Sequence, residues 1–289
     1  MGIVFLNGEF MAAEAARISP FDRGFLFADG VYEVLPCYDG RPFRLDAHLE
    51  RLERSLAALH ISVPQTRLDW HALIAALVER NGGGDLSVYL QVTRGVAPKR
   101  DHAFPKEPLD PTLFATTSPL PRSAVDLQDA ATGATVITAS DIRWSRADIK
   151  SVSLLANVLL RQQAVEAGAQ ECLLVRDGHV LEGAASNVFL VKDGVLVTPP
   201  LSHYLLPGIT RQVVIELALA LDLPVIERDI AERELHHADE IWLAGSIREL
   251  VPVTVLDGRP VGNGDIGPLW RRLARAFLTL KNDFAAGVA

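Results

Sequence analysis

Residues 171–194 read Glu-Cys-Leu-Leu-Val-Arg-Asp-Gly-His-Val-Leu-Glu-Gly-Ala-Ala-Ser-Asn-Val-Phe-Leu-Val-Lys-Asp-Gly. Two apolar runs, Glu171 to Arg176 and Asn187 to Lys192, each end at an Asp-Gly pair, whose residues accept the positive φ angles of a two-residue hairpin turn. The stretch therefore predicts strands joined by tight antiparallel turns. Glu182 falls at the end of the strand after the first turn, and the small residues Ala184 and Ala185 beyond it let a ligand approach the backbone. The Asp-Gly signal recurs at 39–40 and 257–258, again between apolar segments. Leu86, Val88, Leu90 and Val92 alternate with Ser87, Tyr89, Gln91 and Thr93, the period of a strand with two unlike faces, and Glu240 to Ala244 reads as a further strand.

Helical spacing fills the intervals. Leu49, Leu52, Leu56 and Leu59 recur at steps of three and four behind Asp46, which predicts a helix over 46–60 with Asp46 as its N-cap. Trp70, Leu73, Ile74 and Leu77 mark a second helix that Gly82-Gly83-Gly84 ends, and Leu155, Val158, Leu159 and Gln162 a third that ends near Gly168. Thr210 to Leu221 and Pro268 to Ala286 complete the set. Two prolines in Thr117-Ser118-Pro119-Leu120-Pro121-Arg122 disfavour both helix and ladder pairing. The boundary is placed there: a smaller N-terminal domain over 1–118, a linker over 119–122 and a larger domain over 123–289. Each side carries strands and helices, so the expected class is α+β, with mixed sheets and flanking helices.

A chain of 289 residues, 49% hydrophobic and 22% charged, has ample material for a core, and its length fits two domains better than one. Lys+Arg of 28 against Asp+Glu of 36 leaves a net charge of −8, which argues against nucleic acid or an anionic membrane as partner. Two cysteines, Cys37 and Cys172, are too few to staple such a chain, so a reducing compartment, the cytoplasm, is expected and buried packing is their default role. Met1 to Leu6 lacks the basic start and apolar core of a signal peptide, and no uncharged apolar run approaches the roughly 18 residues needed to span a bilayer.

Gly262-Asn263-Gly264-Asp265-Ile266-Gly267 matches the dinucleotide fingerprint in its letters. Its context does not: the 22 residues after Gly267 are mostly one helix, with no room for the following strand and its acidic residue. It reads as a glycine-rich turn. His236, His237, Asp239 and Glu240 have ligand chemistry, but adjacent histidines point to different helix faces, so no metal is expected. Serine-hydrolase elbows, P-loops and paired-cysteine motifs find no match. What remains is a set of polar residues inside apolar segments, Arg51, Lys150, Glu182, Asn187 and Thr210, whose charged members need a partner or a ligand.

Gly30-Val31-Tyr32-Glu33-Val34, His48-Leu49-Glu50-Arg51-Leu52, Thr93-Arg94-Gly95, Ile142-Arg143-Trp144-Ser145-Arg146-Ala147-Asp148-Ile149-Lys150-Ser151, Glu182-Gly183, Ser186-Asn187-Val188-Phe189 and Gly208-Ile209-Thr210-Arg211 occur in one order. Together they closely resemble the class IV (fold-type IV) pyridoxal-phosphate aminotransferases, and among them the D-amino acid aminotransferases, over nearly the whole chain.

That resemblance implies a two-domain fold-type IV architecture and pyridoxal 5'-phosphate as cofactor. It makes Lys150 the residue that binds the cofactor covalently and moves the substrate proton, which requires an unprotonated amine. It makes Glu182 the carboxylate that faces the ring nitrogen and Leu206 an apolar cover on one ring face. It gives the phosphate to Arg51, the helix-start amides of Ile209 and Thr210, and the turn at Ser246 and Ile247, although Ser246-Ile247-Arg248 is poorer in hydroxyls than the family pattern. It makes Tyr32, Arg100 and His102 a trap for the substrate carboxylate, with Arg100 and His102 reaching in from a neighbouring subunit, so a homodimer is implied. The loop before Arg100 is one residue longer than the family pattern. The implied reaction moves the amino group of a D-amino acid such as D-alanine to a 2-oxo acid such as 2-oxoglutarate. Branched-chain L-amino acid aminotransferases, aminodeoxychorismate lyases and R-selective amine transaminases share the fold and are the enzymatic alternatives, and a pyridoxal-phosphate-binding protein without turnover is the non-enzymatic one.

Overall fold

The computed structural model describes residues 2–63 and 69–288, which form two compact units. The first takes the chain up to Leu120 together with Ile149–Leu154. Its six strands, β1 (Ile3–Leu6), β2 (Glu9–Ala12), β3 (Gly30–Tyr38), β4 (Arg41–Pro42), β5 (Leu86–Thr93) and β6 (Thr112–Pro119), form an antiparallel sheet in the order β2-β1-β6-β5-β3-β4. Helix α1 (Arg23–Phe27) precedes β3, and α2 (Leu45–Ala58) and α3 (Trp70–Arg80) lie between β4 and β5 in sequence. The leucine spacing of α2 and α3 buries Leu49, Leu52, Leu56, Ile74 and Leu77 against Leu35, Val88 and Leu90 of the sheet.

Asp46 is not the N-cap of α2. The helix begins two residues earlier at Arg44, which takes a left-handed conformation (φ 54°) and whose carbonyl accepts from the His48 amide. Asp46 instead stands in the first turn, where its charge suits the helix dipole, and pairs on the surface with His71.

Residues Ile149–Leu154 lie along β3. The Tyr32 amide donates to the Lys150 carbonyl (2.9 Å), the Val152 amide donates to the Gly30 carbonyl (3.0 Å), and Ile149 is buried in the core of this unit. Those bonds fix the backbone of Lys150 beside the strand that carries Tyr32 and Glu33.

The second unit, Pro121–Asp148 with Leu155–Ala289, holds a ten-stranded mixed sheet. Its strands are β7 (Ala134–Ser140), β8 (Glu171–Arg176), β9 (His179–Gly183), β10 (Asn187–Lys192), β11 (Val195–Thr198), β12 (Val225–Glu227), β13 (Ile230–Ala231), β14 (Glu240–Gly245), β15 (Glu249–Leu256) and β16 (Arg259–Pro260). They run in the order β12-β11-β10-β14-β15-β7-β8-β9-β13, with β16 on β15, and the β11/β12, β15/β7 and β7/β8 pairs are parallel. Helices α4 (Ala124–Leu127), α5 (Leu155–Glu166), α6 (Ile209–Ala220) and α7 (Pro268–Ala286) belong to this unit. Asn187 to Val191 are all buried, the mark of a central strand covered on both faces. In α7 the spacing of Trp270, Leu273, Ala274 and Phe277 makes the buried stripe. One turn on, Lys281 is buried with it and is paired to Asp126 and to Glu249.

All four Asp-Gly pairs form the expected hairpins, with φ of 49–50° at Asp39, Asp177, Asp193 and Asp257 and 72–77° at the glycines after them. Asn7-Gly8 makes a fifth between β1 and β2. The glycine-rich turn at 262–267 leads into α7, and the amides of Leu269 and Trp270 donate to the Glu240 carboxylate at 2.9 Å each. The protein's own carboxylate thus occupies the anion position that a dinucleotide phosphate would need. Glu240 points inward, His236 and His237 are exposed, and Asp239 binds Lys192 and the Asp193 amide, so these four side chains do not converge. No helix among the described residues is long and apolar enough to cross a membrane.

Candidate active site

In the first unit, Lys150 and Tyr32 come together: the Lys150 Nζ sits 4.4 Å from the centre of the Tyr32 ring. The Lys150 side chain is half-buried and its amide donates to the Ser55 hydroxyl of α2 (3.2 Å). Tyr32 stacks on Tyr89 at 5.7 Å, and burial, with Tyr32 beside it, pushes the Tyr89 hydroxyl up to about 12.

Arg51 is buried and pairs with Glu33 of β3. Its Nε and Nη2 donate to Glu33 Oε1 (2.7 Å) and Oε2 (2.8 Å), and His48 Nδ1 lies 2.8 Å from the same carboxylate. Burial alone would raise the Glu33 carboxyl, but the charge and hydrogen bonds of Arg51, with the His48 bond, outweigh it and hold Glu33 at about 2. His48 is shifted the other way: burial, and the positive charges of Arg51 and Lys150, favour its neutral form against the pull of Glu33. Alternate residues of β3 face opposite ways, so the strand turns Tyr32 toward Lys150 and Glu33 toward α2.

Arg100 and His102 form a second cluster in this unit. Both are exposed and both lie against Phe27 of α1, the Arg100 guanidinium 4.9 Å and the His102 ring 5.2 Å from that ring.

In the second unit, Glu182 is the penultimate residue of β9 and is buried. Arg143 Nη1 donates to its Oε1 (2.5 Å), Asn187 Nδ2 donates to its Oε2 (3.0 Å), and the Leu206 amide reaches both oxygens at 3.1–3.2 Å. Asn187 Nδ2 also donates to the Leu206 carbonyl (2.9 Å), so one amide group ties the carboxylate to the 206 backbone. Gly208 follows, where an added Cβ would stand 1.9 Å from Asn187 Oδ1. It is also the N-cap of α6 and offers no side chain to the first amides, and Ile209 and Thr210 open that helix. Ser246 and Ile247 form the turn between β14 and β15.

A family profile described as amino-transferase class IV matches residues 30–256. The chain belongs to the class IV aminotransferases. This class IV aminotransferase is 39% identical to a D-alanine aminotransferase of Staphylococcus epidermidis over 274 residues, which cover 95% of this chain and 96% of the relative. It is also 39% identical to a D-alanine aminotransferase of Listeria monocytogenes over 276 residues, 95% of this chain and 94% of the relative. Among solved structures it resembles a branched-chain amino acid aminotransferase of Escherichia coli, with a TM-score of 0.87 at 28% identity over 96% of this chain and 94% of that one. The fold is thus the fold-type IV architecture that the ordered motifs implied.

Three residues of the aminotransferase that carry much of this geometry went unassigned in the sequence. Glu33 holds Arg51, Arg143 holds Glu182, and Asp141 holds Arg143 at 2.9 Å. The signal was a charge amid apolar neighbours, as at Glu33 between Tyr32 and Val34, but pairing across elements has no sequence period.

Proposed function

We propose that the chain is a pyridoxal-phosphate-dependent transaminase that takes the amino group from a D-amino acid, D-alanine or one like it, and passes it to a 2-oxo acid such as 2-oxoglutarate. The observation that carries this reading is the full-length similarity to D-alanine aminotransferases at 39% identity, higher than the 28% shared with the branched-chain enzyme of similar fold.

The donor chemistry in each unit fits the cofactor. A half-buried primary amine, Lys150, suits an aldehyde. A carboxylate fixed by three donors, Glu182, suits a pyridine nitrogen. A helix start without a side-chain cap, Ile209 and Thr210 after Gly208, suits a phosphate, as do the Ser246-Ile247 turn and the Arg51 guanidinium. Leu206 offers an apolar side chain for a ring face.

When bound, pyridoxal phosphate supplies the electron sink that makes the substrate Cα proton removable. Lys150 Nζ is the base that takes that proton and later returns one to the incoming 2-oxo acid carbon. Arg143, Asn187 and the Leu206 amide hold Glu182 still. Tyr32, Arg100 and His102 bind the substrate carboxylate and so decide which Cα hydrogen faces the lysine. The exposure of Arg100 and His102 supports their reaching the site of a second subunit in a homodimer. Two buried, unpaired cysteines support a reducing compartment, the cytoplasm.

The test is a coupled assay of paired D- and L-amino acids with 2-oxoglutarate. Turnover of D-alanine is the expected result. Efficient turnover of L-leucine or L-valine with none of D-alanine would reverse the reading in favour of the branched-chain activity, which the TM-score of 0.87 makes the second choice.

A further inference from the structure

The connection from β5 to β6 runs from Arg94 to Asp110 and beyond without helix or strand of its own, and a loop of that length inside a compact unit needs holding. Its base is held by Asp22: the residue bridges Val96, and its carboxylate accepts from the Thr112 hydroxyl (2.5 Å). Its outer part is held by Arg23, the first residue of α1, whose side chain is only 3% exposed.

The Arg23 guanidinium works as a fork. Nη1 donates to the carbonyls of Asp101 (2.6 Å) and Ala103 (3.4 Å), and Nη2 donates to the carbonyl of His102 (3.3 Å). Nε is fixed by Asp29 Oδ2 at 2.8 Å. The same carboxylate receives Nε and Nη2 of Arg94 (2.7 and 2.9 Å), and Arg94 in turn caps the carbonyls of Leu59 and His60 beyond α2. Phe27 takes the Arg23 guanidinium at 4.8 Å, the Arg100 guanidinium at 4.9 Å and the His102 ring at 5.2 Å. The loop backbone over 101–103 and the side chains of Arg100 and His102 are therefore set from one buried point.

We propose that Arg23, locked by Asp29, is a positioning residue that presents Arg100 and His102 to the substrate carboxylate, and so governs amino acid binding rather than the proton transfer at Cα. The inference rests on the proposed role of Arg100 and His102. Arginine is required because three carbonyls and one carboxylate are served by one planar group, and a lysine ammonium with three donors on a flexible stem cannot span them. Asp29 is needed as well, since without its charge two buried guanidiniums would face each other across the same spot.

The experiment compares the holoenzyme forms of wild type, Arg23→Lys, Arg100→Ala and the double variant, with D-alanine and D-glutamate as donors. In Arg23→Lys, KM for both donors should rise about tenfold while kcat stays within about twofold, because a lost set of charge-assisted bonds loosens the loop and not the lysine. The double variant should be worse than Arg100→Ala by clearly less than the full effect of Arg23→Lys, since only His102 is then left for Arg23 to present. A fall in kcat at unchanged KM, or a double variant that shows the product of the two effects, overturns the inference. Trypsin cleavage after Lys99 and Arg100 gives a readout independent of substrate: it should accelerate in Arg23→Lys, and an unchanged rate also overturns the inference. If Arg100→Ala leaves KM at the wild-type value, the carboxylate reading of Arg100 fails, and the cleavage rate alone decides whether Arg23 sets the loop. Asp29→Asn, which leaves the arginine in the chain but removes the charge that locks it, is read in the same assays, with the same rise in KM and in cleavage rate expected, where Arg23→Lys does not fold.

Discussion

Arg143 Nη1 donates to Glu182 Oε1 at 2.5 Å, and the Nε of the same guanidinium donates to Asp141 Oδ1 at 2.9 Å. Burial would lower the affinity of Arg143 for its proton, but the charges of Glu182 and Asp141 more than offset this and raise it. Arg176 closes the arrangement with one bond to Asp141 (3.1 Å) and one to the Arg143 carbonyl (2.9 Å). A carboxylate so gripped cannot swing away from the direction in which Asn187 and the Leu206 amide also hold it. The cost of ordering is met in folding, which is the preorganisation that the role proposed for Glu182 opposite a ring nitrogen requires.

Glu182→Gln keeps the shape and removes the charge. The cofactor should still bind, while single-turnover loss of the Cα proton slows on the order of a hundredfold or more, at about 1.4 kcal/mol per tenfold. Stopped-flow measurement of the first half-reaction checks this, and a wild-type rate would move the ring-nitrogen partner elsewhere. Arg143→Lys should give a smaller loss, because the charge stays but the fork that serves Asp141 and Glu182 together is gone.

Lys150→Ala should abolish turnover, since it removes the amine that stands beside Tyr32 where the Tyr32 amide and Ser55 fix the backbone. Borohydride reduction of the wild-type holoenzyme followed by peptide mapping should find the phosphopyridoxyl group on Lys150. A different labelled lysine would end the assignment.

Glu33 makes a pH prediction. Its carboxyl is held at about 2 in the folded chain against an ordinary 4.5, so it gives stability that is present above pH 4.5 and lost as pH falls toward 2. The size is roughly 3 kcal/mol, from about 1.4 kcal/mol per tenfold. His48 acts in the same direction at higher pH: its folded form favours the neutral ring, so stability falls as pH drops below the usual histidine range near 6.5. Denaturant melts of wild type and Glu33→Gln should differ most near pH 7 and converge as pH approaches 2. A gap that does not close with acid would show that Glu33 acts by shape alone.

Hairpins and helices were legible because their signals are local. An Asp-Gly pair states its own turn, and the 3–4 spacing of Leu49, Leu52 and Leu56 states which face of α2 is buried. The start of α2 was misplaced because Asp46 carries cap chemistry, whereas Arg44 caps by a left-handed backbone that no side chain announces. The candidate site was visible in the sequence only as single residues. Lys150 and Glu182 stood out through ordered motifs, but the partners Glu33, Arg143 and Asp141 are set by pairing between β3 and α2 and around the end of β9, which no spacing in the chain encodes. Nor does spacing reveal that Ile149–Leu154 returns to lie along β3.

Two glycines offer a matched final test of how backbone space serves the site. At Gly208 an added Cβ would stand 1.9 Å from Asn187 Oδ1, and at Gly267 it would stand 2.0 Å from the Glu240 carboxyl carbon. Both overlaps are severe, so alanine at either position should force the facing side chain away and destabilise the protein by about 1–3 kcal/mol or more. The consequences for catalysis should differ. Glu240 caps α7 and binds the Trp242 indole, contacts that hold structure, so correctly folded Gly267→Ala should keep the wild-type kcat with a lower melting temperature. Asn187 ties Glu182 to the Leu206 carbonyl, so Gly208→Ala should lower kcat as well, and should do so in single-turnover measurements at saturating cofactor. Equal kcat losses in the two variants, measured per cofactor-loaded site, would mean that Asn187 does not hold Glu182 for the reaction.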